Sequence, residues 1–231
     1  MGKIRHETKN LIFMAGTSEG ASWAQEERPD SESEIQVTEL CVILEENMGR
    51  ILDFFGLKEL REKVTVKMYD SVEEYERHVI EFFGEYFDWM FADTFDGNIN
   101  LLSYDRCRST SSHQNMRRED YVKVIVHEFV HICQQCVNDD ATGCEWFWEA
   151  LATNLSGQTY NETALSCTGE QLQNAYSSMA DGYAISYTLG KWMLAHLPHQ
   201  KILDYVKEPG TLRRDTEEIL RSAVGEYWPE I

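Results

Sequence analysis

His127, Glu128 and His131, in the stretch VIVHEFVHICQQC (124–136), have the types and spacing that metal chemistry uses. On a helix, positions i and i+4 share one face with Cβ atoms about 6 Å apart, so both imidazoles can offer a ring nitrogen to one ion. Zinc accepts two such nitrogens readily. Glu128 lies about 100° round the helix, where its carboxylate reaches a water on the ion without becoming a ligand, the position a general base needs. An H-E-x-x-H pattern also arises by chance in unrelated chains, so its surroundings must carry the reading. Val122, Val124, Ile125, Val126, Phe129, Val130 and Ile132 leave this segment apolar nearly all round. A helix of that kind is buried, and two imidazoles with a carboxylate are costly there unless something binds them.

A catalytic zinc needs a third protein ligand. Two glutamates follow within reach, Glu145 and Glu149, four apart on a helix expected at about 145–155 and ending before Gly157. Thr142 and Glu145 read as T-x-x-E, a capping box that gives Glu145 a structural task at the helix start. Glu149 has no such task. Among Trp146, Phe147, Trp148 and Leu151 it is expected to be mostly buried, where a carboxylate needs a strong partner. The expected zinc set is therefore His127, His131 and Glu149, with Glu145 the alternative third ligand.

These side chains need elements to position them. Apolar spacing predicts a helix from Glu34 to about Leu60, carried by Ile35, Thr38, Leu40, Val42, Ile43, Met48, Ile51, Leu52 and Phe55. KVTVKMYD (63–70) alternates as a half-buried strand, and Ser71 with Glu74 forms a capping box that opens a helix directly after it. GNINLLSY (97–104) reads as a second strand, whose residues 99–104 are expected to form the sheet edge along which an extended peptide pairs. DRCRSTSSHQN leads away from it as a loop. The metal-site helix should run from about Met116 to Val137, with Glu119 and Asp120 favoured in its first turn by the helix dipole. Further helices are expected at 182–197 and 215–224.

Taken together, HEFVH followed 18 positions later (149 − 131 = 18) by the glutamate of WFWEALATNLSG resembles the gluzincin clan of zinc metallopeptidases, whose second motif commonly reads W-x-x-E-G-L-A. The likeness extends over about residues 60–230. It implies an α+β, mostly helical zincin-like domain with a small sheet packed beside the H-E-x-x-H helix. By residue matching, His127, His131 and Glu149 resemble the zinc ligands and Glu128 the general base. Tyr183 resembles the tyrosine that stabilises the tetrahedral oxyanion in some branches. Tyr176, Tyr187 and Trp192 show that this region also uses aromatics freely for packing, so a core role for Tyr183 stays open. Ala150 replaces the common glycine, and no G-x-M-E-N segment precedes the zinc motif, which leaves the aminopeptidase branch unsupported.

The chain as a whole sets further bounds. With 231 residues it can bury a sizeable core without disulfides or a structural metal. Lys+Arg 21 against Asp+Glu 40 gives a net charge of −19, which repels nucleic acid and anionic membranes. No run approaches the roughly 18 apolar residues of a membrane span, and LIFMAG near the start is too short for the core of a secretion signal, so the expected location is the cytoplasm. Cys41, Cys107, Cys133, Cys136, Cys144 and Cys167 are read as free thiols; a four-thiolate zinc site from the last four is disfavoured by irregular spacing. Residues 1–34 are expected as a weakly ordered acidic arm and 35–231 as a single metallopeptidase domain. The expected function is zinc-dependent cleavage of a peptide or protein substrate. The rival is a degenerate zincin that binds a partner and catalyses nothing.

Overall fold

A computed structural model describes residues 3–15, 37–139 and 144–227. The fold is α+β and mostly helical, with one five-stranded mixed sheet of order β1-β2-β3-β5-β4. Among the described residues no helix is long and apolar enough to cross a membrane. Contacts divide the chain into two compact units, Met1–Arg50 with Lys58–Ile132, and Ile51–Leu57 with Cys133–Ile231.

The first unit holds the sheet. Strands β1 (Lys3–Glu7) and β2 (Leu11–Ala15) form an antiparallel hairpin, where the sequence reading expected part of a weakly ordered arm. The reason is local: LIFMA points Leu11 and Phe13 into the core, and Glu45 of α1 (Val37–Phe55) clamps the connecting turn by accepting from the Thr8 hydroxyl and, at 2.8 Å, from the Asn10 amide. The remainder of the expected arm, 16–34, lies outside the described residues. Helix α1 buries Leu40, Cys41, Leu44, Met48, Ile51 and Phe55. Val42, expected on that face, is instead 53 % exposed, because burial follows the i, i+4 row through residues 40, 44 and 48.

Strand β3 (Val64–Tyr69) pairs in parallel with β2 on one side and with β5 (Asn98–Leu102) on the other. Between β3 and β5 runs α2 (Val72–Phe83), whose N-cap Ser71 accepts from the Glu74 amide at 3.3 Å, half of the expected box. Strand β4 (Ala92–Phe95) then pairs antiparallel with β5, so β5 is interior and β4 is the sheet edge. This corrects the edge expected at 99–104. Asp96 and Gly97, at φ 49° and 68°, make the two-residue turn between them, the backbone that an Asp-Gly pair favours. The expected loop after β5 is instead helix α3 (Tyr104–Ser109) and a short 3-10 turn at Ser111–His113. Helix α4 (Arg118–Val137) follows, and all residues from Val124 to Val130 are buried.

The second unit is helical: α5 (Glu145–Ser156), α6 (Gly169–Ala175), α7 (Gly182–His196), α8 (His199–Lys207) and α9 (Pro209–Tyr227). Helices α5 and α7 pack backbone to backbone. A Cβ on Gly190 would stand 2.8 Å from the Cβ of Ala150, so the glycine makes room for the alanine. The Asn154 amide donates to the Ala150 and Tyr187 carbonyls at 2.8 and 3.2 Å, and the Ser186 hydroxyl to that of Trp146 at 2.5 Å. These bonds fix where α7 starts relative to α5, and hence where Tyr183 stands.

Candidate metal centre

Helix α4 supplies the first two candidate ligands. His127 lies in its buried stretch and His131 one turn further on, and their Nε2 atoms converge to 3.0 Å with the rings at 79°. Two nitrogens held about 2.0–2.1 Å from a tetrahedral zinc stand about 3.3 Å apart, so these rings are already near ligand spacing.

Glu149 is the third. The last turns of α4 are tied to α5 through the Gln134 side chain, which donates to the Trp148 carbonyl at 3.1 Å. Trp148 precedes Glu149, so this bond fixes the turn of α5 that carries Glu149. One ligand atom from each of His127, His131 and Glu149 lies within 4.8 Å of the others, and no other group with metal-ligand spacing occurs among the described residues. Two imidazoles and a carboxylate are a donor set that suits catalytic zinc. His127 is buried and the other two are half-buried, so Glu149 is more open than expected.

Glu145 is not brought into this group. Helix α5 has Cys144 at its N-cap with no side-chain cap bond, which makes Glu145 the first helical residue, and it is exposed. A capping box would need it at the third helical position. Thr142, its expected partner, lies outside the described residues. The six cysteines are free thiols, Cys136 exposed and Cys133 buried, and burial pushes the Cys133 thiol well above its ordinary range.

Glu128 is only 7 % exposed. The Thr94 hydroxyl of β4 lies 2.8 Å from its carboxylate Oε2 and 3.1 Å from its main-chain carbonyl, a donor shared between two acceptors. Alternation along the strand turns the preceding residue, Asp93, to the other face. There its Oδ1 meets His78 Nε2 at 3.2 Å and accepts from the Asn100 amide at 2.9 Å, all three residues being buried. Tyr75 keeps its phenol proton because burial, then the charges of Asp93 and Glu128, raise its pKa far above the usual range. Thr94 was missed in the sequence because the strand carrying it was missed. The Asp-Gly turn beside it was the available signal.

Tyr183 opens α7 and is 41 % exposed. Its ring stacks on Tyr160 at 6.1 Å and meets Tyr176 edge-on at 6.0 Å. Burial first and the Glu149 carboxylate second raise the pKa of both Tyr160 and Tyr176, so both remain hydrogen-bond donors at neutral pH. The sequence singled out one phenol where the structure gathers three.

Compared with known proteins, the chain matches no family model, and no curated protein matches it.

Proposed function

We propose that the protein is a zinc-dependent peptidase of gluzincin type. The observation that carries this is the convergence of His127, His131 and Glu149 within 4.8 Å, next to a buried glutamate that a neighbouring hydroxyl holds in place. Zinc, when bound, supplies a Lewis acid that polarises the scissile carbonyl and acidifies water. Glu128 takes the proton of the attacking water on its carboxylate as the carbon–oxygen bond forms. It then hands the proton to the amine nitrogen as the carbon–nitrogen bond breaks. Thr94 holds the carboxylate by its donated bond. Tyr183 donates to the oxyanion, with Tyr160 and Tyr176 framing its ring. The substrate is a peptide or protein, and the working compartment is the cytoplasm, in keeping with six free thiols. A non-catalytic binding module has no need of a buried base fixed by Thr94, which favours the enzyme.

Metal analysis of protein purified without chelator should find about one zinc per chain. His127→Ala should abolish it. Glu128→Gln should keep the zinc and lower turnover of a peptide library by about 10²–10⁴-fold. Zinc retained in His127→Ala, or equal cleavage by Glu128→Gln, would sink the assignment.

A further inference from the structure

Of nine large apolar side chains exposed among the described residues, six fall between positions 80 and 95: Ile80, Phe82, Phe83, Phe87, Trp89 and Phe95, each 36–51 % exposed. They are organised. Phe95, at the end of the edge strand β4, packs on Phe82 at 4.3 Å and on Phe83 at 5.9 Å, while Phe87 and Trp89 stack at 5.9 Å and 6°. Gly84, at φ 90°, ends α2 and turns the chain toward the second pair. Exposed apolar groups gathered this way mark an interaction surface.

The charges around them say what would cover it. From His78 to Asp105 the chain has no lysine or arginine, whereas Glu81, Glu85, Asp88 and Asp96 are all exposed. No ion pair involves these four among the described residues. Aromatic side chains beside carboxylates of a single sign attract a partner that is apolar and cationic at once, by burial and by cation–π and ionic contact. A second copy would bring its own −19 charge and acid-rimmed surface, and an anionic lipid surface would be repelled. Along β4 the surface lies on the face of Asp93 and His78, since Phe82 meets both His78 and Phe95, while alternation turns Thr94 and its bond to Glu128 to the other face.

We propose that residues 80–96 dock polypeptide segments combining large apolar side chains with lysine or arginine. This docking does not rest on the peptidase reading.

The test uses the full chain as Glu128→Gln, which prevents turnover, and fluorescence anisotropy with three labelled peptides of equal length. One alternates Trp and Leu with Lys, one replaces Lys by Glu, and one replaces Trp and Leu by Ser. Vesicles of phosphatidylserine and phosphatidylcholine form a fourth arm. Only the first peptide should bind, more weakly as salt rises, with at least a tenfold loss in Phe83→Gln/Trp89→Gln and in Glu81→Lys/Glu85→Lys. Because all four positions are exposed, unchanged thermal midpoints should show those variants folded. Equal binding of the Glu peptide, binding unaltered in both variants, or binding to vesicles in place of peptide would overturn docking. If docking holds and the wild type cuts no peptide, the peptidase reading fails alone.

Discussion

The stretches EFFGEYFDWMF (81–91) and EWFWEALATN (145–154) are both rich in aromatic residues and opposite in fate. In α5, Trp146, Phe147 and Trp148 are all buried although they point in three directions, because other segments of the same unit meet them: Ser186 bonds the Trp146 carbonyl and Tyr205 meets Phe147 edge-on at 6.3 Å. In 81–91 a glycine ends the helix after two phenylalanines, and acids at 85 and 88 keep the next aromatics at the surface. Aromatic content alone therefore does not say where a core is. Whether the helix continues, and where the charges interrupt it, decides.

The sharpest way to break this contrast is at its buried end. Trp146→Ala should cost about 3–5 kcal/mol of stability, read from the denaturant midpoint, since a fully buried indole leaves a cavity the packed helices cannot fill. Gly190→Ala should follow at about 1–3 kcal/mol, because its new methyl would meet Ala150 at 2.8 Å. The Asn154 side-chain nitrogen is as near, at 2.8 Å, so pairing Gly190→Ala with Ala150→Gly should recover only part of that loss, and full recovery would show that the Ala150 methyl alone limits the approach. Thr94→Val comes next, with kcat about tenfold lower at unchanged zinc content and little change in KM, as removal of one bond to a charged group predicts. Thr94→Ser should restore most of the rate; failure to do so would return Thr94 to packing. Trp89→Gln should be the smallest, within about 0.5 kcal/mol of wild-type stability. A loss as large as that of Trp146→Ala would show that the exposed stretch is core after all.

The same contrast explains what was legible in the sequence. Helices α4 and α5 announced themselves because their apolar residues leave no polar face, and β3 and β5 because Val64, Val66, Ile99 and Leu101 sit at alternating positions. His127, Glu128, His131 and Glu149 were legible because helical spacing alone puts them in reach. Strands β1, β2 and β4 were not, since KIRHE and ADTF show no apolar alternation and LIFMA is a short unbroken apolar run. Helices α6 and α8 are short, and the polar run at 105–113 folds into helical turns that its composition disguises. Thr94 was hidden with its strand, and Tyr183 could not be ranked against Tyr160 and Tyr176, which come together only in three dimensions.

The parallel pairing of β2 with β3 has a consequence in time. Ile12 pairs with Thr65, so the outer edge of β2 has no strand partner until some 50 further residues have been made (65 − 12 = 53), although α1 and its Glu45 are made earlier. At about 5–20 residues per second that wait is on the order of 3–10 s on the ribosome. Throughout it the Leu11–Ala15 edge is bare and apolar, a template for pairing with a neighbouring nascent chain. Expression yield should therefore respond to translation speed between codons 16 and 69 more than to speed later in the message.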